Sequence, residues 1–398
     1  VSAATLSPPD FALGKRFVEI ALGIDAYERS GAPGASVLDG EGLVPIFMAR
    51  DRFTPQPFAS WPEAFAALDE LEGDAAAVPP GTRRDFLTSF ARSLRAAARI
   101  FAGEAMSFEE KLRDLVGVPD ALVPDDAIEA IHSTLDGLIA KRGFTQGTLR
   151  DRVTAWERSR ILTREGIVRE FEHLMAEAKR RTDERIFPTG DYTMALRPLE
   201  GVPYTARCAF EDGCMDINLD VAFTRSSLKH LVCHEVFPGH STQLLSTFDA
   251  YERGTTAADA LLCTTNGATG AVQEGIGDQG IELIDFVEDE DDAAHIELRR
   301  LQTACGTNAA FHLNVSGWNA EACAAYLRDV AFAQDAWIRG RLAMAVHPFR
   351  GAFVASYWFG NEAVRETRLR AGSAHAAEFV SYLYSELHTP ATLRSFVA

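Results

Sequence analysis

His234 and Glu235 stand side by side in the run LKHLVCHEVFPGHSTQLL (residues 228–245), and His240 follows six residues after His234. Two imidazoles offer neutral nitrogen donors to a cation such as zinc, and a glutamate beside a ligand is placed to act as general base. In the common H-E-x-x-H arrangement the histidines lie one helical turn apart on one face. A six-residue step on a regular helix turns through about 600°, which would point His240 well away from His234. Pro238-Gly239 supplies the remedy. Proline lacks the N–H that would bond back to the His234 carbonyl, and glycine accepts unusual dihedrals. The spacing therefore predicts a helix that bulges or unwinds between the two histidines.

A catalytic zinc site takes three protein ligands and keeps one position for water. Glu274, in AVQEGIGDQG, is placed on a following helix as the third ligand, and Gly275 and Gly277 permit a close approach of that helix. Asp278 lies one turn after Glu274, where it can accept the second ring N–H of a ligand histidine and fix its tautomer. The expectation is one Zn2+ per chain on His234, His240 and Glu274, with Glu235 as base and Asp278 behind a ligand.

The run H-E-x-x-P-G-H-x-x-Q, His234 to Gln243, resembles the DUF885 family of predicted bacterial zinc metallopeptidases, of the gluzincin type. The segment Glu274-Gly-Ile-Gly-Asp278 is similar to the third-ligand helix of angiotensin-converting enzyme, E-A-I-G-D. That pattern also has a histidine and a tyrosine ten residues apart that stabilise the transition state. His347 and Tyr357 have this spacing, and Tyr357-Trp-Phe-Gly360 resembles the family's Tyr-x-x-Gly. The likeness runs over residues 200–365 and departs from the usual E-G-W-A-L-Y at the third ligand. It implies a helical, zincin-like peptidase whose strand at Cys214–Leu219 pairs with an extended substrate. His347 precedes Pro348, which pushes it toward extended backbone and also allows that it merely ends a helix. His230 reads equally as a partner of the metal ligands or as an exposed helix position, and Arg350 reads as a surface arginine.

The elements that must position these groups are mostly helical. Apolar spacing predicts helices over 11–27 (with Asp10 as N-cap), 61–71, 83–101, 107–115, 125–141 and 166–186. Near residue 187 short alternating runs, 192–196, 203–210 and 214–219, predict a small antiparallel sheet with a hairpin at Asp212-Gly213. Helices resume over 225–248, 258–284, 293–311, 320–346, 351–370 and 374–386, with 288–292 (EDEDD) as a solvated loop. The fold class is mainly α with a small sheet (α+β). A helical N-terminal half, 1–186, precedes a metal-binding catalytic half, 187–398, the two being separate or continuous.

A net charge of −18 argues against nucleic acid, whose phosphates would be repelled. No apolar run approaches the roughly 20 residues that span a bilayer, and no secretory leader is visible. The six cysteines are scattered without a C-x-x-C pair, which fits reduced thiols in a bacterial cytoplasm. The function expected is hydrolysis of a peptide or small amide by metal-activated water. The alternatives are a non-peptide amide or amino-acid conjugate as substrate, and a non-catalytic metal-binding scaffold.

Overall fold

The apolar periodicity of the first half closes into helices Pro8–Arg29, Trp61–Ala77, Thr82–Phe101, Asp125–Lys141, Leu149–Ser159 and Arg164–Arg185. The computed structural model describes residues 7–31, 36–38, 40–202, 205–210 and 212–397. Asp10, expected as an N-cap, is the third helical residue instead. Ser7 holds the cap, and its amide and hydroxyl donate to the Asp10 carboxylate at 2.9 and 2.6 Å. A serine four residues before the apolar run caps better than the nearest acid, because its hydroxyl and amide are both in reach of that acid.

The sheet has three strands, β1 (Ala195–Leu199), β2 (Ala206–Ala209) and β3 (Cys214–Asn218), in the order β1-β3-β2. It is mixed rather than antiparallel. β2 and β3 form the predicted hairpin, with Gly213 at φ 61°, but β1 runs parallel to β3. The register puts Arg197 and Arg207 on either side of Asp216, which ion-pairs with both. One acid thus ties both neighbours to the central strand. Pro203 and Tyr204, at the start of the predicted second strand, lie outside the described residues.

In the second half the predicted long helices are interrupted. Residues 225–248 divide into Arg225–Glu235 and His240–Glu252, and residues 258–284 give a short turn before Gly270–Asp278. Residues 320–346 divide into Ala320–Asp329 and Asp335–Ala345. The acidic 288–292 stretch opens helix Glu290–Asn314 instead of forming a solvated loop. Asp289 caps it, Asp291 pairs with Arg142 and Arg160, and Asp292 is buried on Lys229.

The largest apolar core joins residues 13–118 to Leu261, Ala271 and the Phe349–Ala355 segment. A second packs Ile167–Ala178 and the sheet against the back of helix Arg225–Glu235, through Leu228 and Val232. Each of these two is fully buried, which contributes about 1.5–3 kcal/mol apiece. A third holds Val272 and Ile276 against Val364, Phe379 and Leu383. The helices that carry the histidines and the glutamate are therefore anchored by separate cores, with their polar faces toward one another.

Candidate metal centre

Helix Arg225–Glu235 stops where the proline and glycine require. The Val236 and Phe237 amides both return to the Val232 carbonyl, and regular bonding resumes with Gln243 N–H to Gly239 O at 3.0 Å. The Phe237–Pro238 peptide is cis. The freed carbonyls are not orphaned. Val236 O accepts from the Thr242 amide and hydroxyl, Glu235 O from the Ser241 hydroxyl, and Pro238 O from Tyr384. A Cβ at Gly239 would collide with the His234 carbonyl, so the reversal needs glycine. It brings the His234 and His240 rings to 4.8 Å between centroids, nearly perpendicular.

Glu274 arrives from helix Gly270–Asp278. His234 Nε2 is 3.2 Å from Glu274 Oε2, and one ligand atom from each of His234, His240 and Glu274 lies within 4.8 Å of the others. Ligands at about 2.0–2.2 Å in a tetrahedron are themselves about 3.3–3.6 Å apart, so these three fit a zinc ion with small adjustments. The approach depends on small residues. A Cβ at Gly277 would lie 2.7 Å from His234 Nδ1, and one at Gly275 would strike the Gly360 carbonyl.

Asp278 lies behind His234, its Oδ1 3.2 Å from Nδ1 and 3.3 Å from His230 Nε2. Both contacts are in ion-pair range although neither meets the geometry of a hydrogen bond. Asn361 donates to the other oxygen at 3.4 Å. Burial alone would depress the His234 imidazole, yet Asp278 and Glu274 hold it well above the histidine range. Burial would likewise raise Asp278, but His230 and His234 keep it well below the carboxylate range. The two acids thus stabilise positive charge at this point, whether a proton on His234 or a bound dication. His230 is buried, not exposed, and burial pushes its imidazole down to about 4. His230, His234 and Asp278 form a second cluster of potential ligands that shares His234 with the first.

Glu235, His240 and Glu274 line one cleft of about 450 Å³, together with Arg207, Arg350 and Phe353. A larger shallow depression of about 770 Å³ beside helix Leu149–Ser159 is lined by solvent-facing residues such as Arg150 and Asp329, without a converging ligand set. β2 forms part of the cleft wall through Ala206 and Cys208. β3, the strand expected to pair with substrate, is flanked on both sides, which leaves β2 as the edge strand beside the cleft.

Tyr357 sits on helix Ser356–Ala371. Gly360 lets that helix cross Gly270–Asp278 in backbone contact, since a Cβ there would meet the Ala271 carbonyl. The Glu274 charge, then burial, raises Tyr357 above the ordinary phenol range, so it is a protonated hydroxyl near the ligands. His347 is used differently. Its Nδ1 accepts from the Phe349 and Arg350 amides at 3.2 and 3.0 Å, capping the turn at Gly351–Ala355. Neither His347 nor Tyr357 is among the described residues lining the cleft. Arg350, read from sequence as a surface residue, lines the cleft and ion-pairs with Glu41. Residues that spacing gave no reason to select also gather here: His295, buried 5.5 Å from His230 between ring centroids, Arg299 and Arg341. Their only sequence signal was a charged or polar residue within a helix.

No family model matches this chain, and no curated protein does. Among solved structures it is similar to a "putative lipoprotein" from Colwellia psychrerythraea, with a TM-score of 0.58 and 15% identity over 84% of this chain. It is also similar to a "putative lipoprotein of unknown function" from Shewanella oneidensis, with a TM-score of 0.54 and 16% identity over 84% of this chain. The matches cover 63% and 70% of those chains respectively, so the chain spans just under two thirds of the first. At such identities the likeness is one of fold. Among the described residues no helix is long and apolar enough to cross a membrane.

Proposed function

We propose that this chain is a zinc-dependent hydrolase that cleaves amide bonds in peptides, as its resemblance to DUF885 and the gluzincins implies. The observation that carries the reading is the convergence of ligand atoms from His234, His240 and Glu274, with Glu235, His240 and Glu274 lining one cleft. Zinc, when bound there, would polarise the substrate carbonyl and make water acidic enough to attack near neutral pH.

Glu235 takes a proton from the attacking water as its oxygen bonds to the carbonyl carbon. It returns that proton to the amine nitrogen as the carbon–nitrogen bond breaks, which yields a carboxylic acid and a free amine. Tyr357 donates its hydroxyl to the oxyanion, a role worth on the order of 10²–10³ in turnover. Asp278 holds the His234 ring so that Nε2 faces Glu274. His347, occupied in capping, has no part in this scheme. An extended substrate adds to the open edge of β2 rather than to β3.

Chelator-sensitive cleavage of a peptide library, with product ends read by mass spectrometry, tests the function directly. Protein without transition metal as purified, or cleavage that survives chelation, rejects it. The free thiols accord with a reducing cytoplasm, whereas the description of the structural neighbours names a lipid-anchored setting; fractionation of native cells decides between them.

A further inference from the structure

Arg341, on helix Asp335–Ala345, is sandwiched between aromatic rings. Its guanidinium carbon lies 4.8 Å from the Trp337 ring centre and 4.6 Å from that of Tyr357. Its stem packs over Gly306, where a Cβ would lie 3.7 Å from Arg341 Cδ. Among the described arginines that are not exposed, it alone makes no hydrogen bond and no ion pair. Its nitrogens are nonetheless not sealed off, since none is a buried donor lacking a partner.

A second guanidinium stands nearby. Arg299 reaches Asp278 only at 3.9 Å, and its Nε is buried without an acceptor. Both arginines act on Tyr357, where their charge opposes that of Glu274 and Asp278. Arginine binds carboxylates through a planar fork of donors, and burying one without an anion is costly unless an anion arrives from outside. Arg341 against the ring of a candidate oxyanion donor, with Arg299 underused beside Asp278, meets that description.

The structure assigns Arg341, stacked on Tyr357, and Arg299, beside Asp278, as a carboxylate-binding subsite for the substrate. This rests on the hydrolase reading for what lies next to the subsite, and it sharpens that reading toward substrates with a carboxylate close to the scissile amide. The carboxylate comes either from a free C-terminus or from an acidic side chain.

The test is calorimetric titration of the zinc-loaded full chain, with Glu235→Gln introduced so that probes are not consumed. The probes are N-acetyl-trialanine, its C-terminal amide, and the amidated peptide N-acetyl-Ala-Asp-Ala. At least one carboxylate peptide should bind about tenfold or more tighter than the trialanine amide. Tight binding of the free acid assigns the terminus, and tight binding of the aspartyl amide assigns a side chain. Arg341→Gln should reduce the preference to within about threefold, and Arg341→Lys should restore part of it. Equal binding of all three probes overturns the assignment, as does a preference that persists in a folded Arg341→Gln variant. If Arg341→Gln fails to fold, Arg299→Gln carries the same decision. Absence of turnover in the unmodified chain would reject the hydrolase reading while leaving this carboxylate preference intact.

Discussion

Gly277 lies beneath the imidazole of His234, so close that a Cβ on Gly277 would stand 2.7 Å from the ring's Nδ1. The rings and acids of the centre can meet only because one helix passes the other without a side chain between them. Gly277→Ala should therefore displace His234 and weaken zinc binding by about tenfold or more, with the fold retained. Competitive titration against a chromogenic chelator measures this. An unchanged zinc affinity would remove Gly277 as the spacer.

Glu274→Ala removes the only carboxylate of the proposed ligand set. Elemental analysis should find zinc well below one per chain, and a chelator should no longer lower the melting temperature, because there is no bound ion left to contribute stability. Full occupancy in this variant would show that Glu274 is not a ligand.

Glu235→Gln keeps the shape and loses the base. Zinc should remain close to one per chain while turnover falls by about 10²–10⁴. Retained activity would move the base role elsewhere.

Tyr357→Phe keeps the ring against Arg341 and deletes only the hydroxyl. Turnover should fall on the order of 10²–10³ with KM changed little, because the lost interaction belongs to the transition state. A loss confined to KM would make Tyr357 a substrate-packing residue. His347→Ala should instead lower thermal stability by loosening the cap at Gly351, and a direct loss of kcat with the fold intact would return it to the site.

Glu157, on helix Leu149–Ser159, is pushed up to about 7 by burial. Its unfolded carboxyl titrates at about 4.3. Its stabilising contribution is therefore complete below about pH 4.3 and is lost as pH rises through about 7. Glu157→Gln should melt higher than the parent at pH 8, by about 1–2 °C, and the advantage should shrink toward pH 5. Parallel melting curves across that range would mean the carboxyl is not held in its neutral form.

How much was legible in advance differs by residue. His234, Glu235, His240 and Glu274 could be picked from residue type and spacing, because Pro238 and Gly239 break a helix by local sterics alone. The β2–β3 hairpin was equally local, with Gly213 in the left-handed region. The parallel placement of β1 was not, since it depends on β3 entering between two strands that precede it. His230 and Arg350 could have faced water or the site, and only packing chose. The resemblance paired His347 with Tyr357 by their ten-residue spacing, and only packing put one in a capping bond and the other at the helix crossing by Gly360.

Local covalent limits on φ, the missing proline N–H and the order of donor types along the chain are written in the sequence, and they determined the candidate ligands and the break between the histidines. Which helix crosses which, and therefore that Arg341 comes to lie on Tyr357 and Arg299 near Asp278, was decided only in the tertiary structure. Those meetings follow from apolar cores that join residues far apart in the chain, and contacts of that range have no local pattern to read.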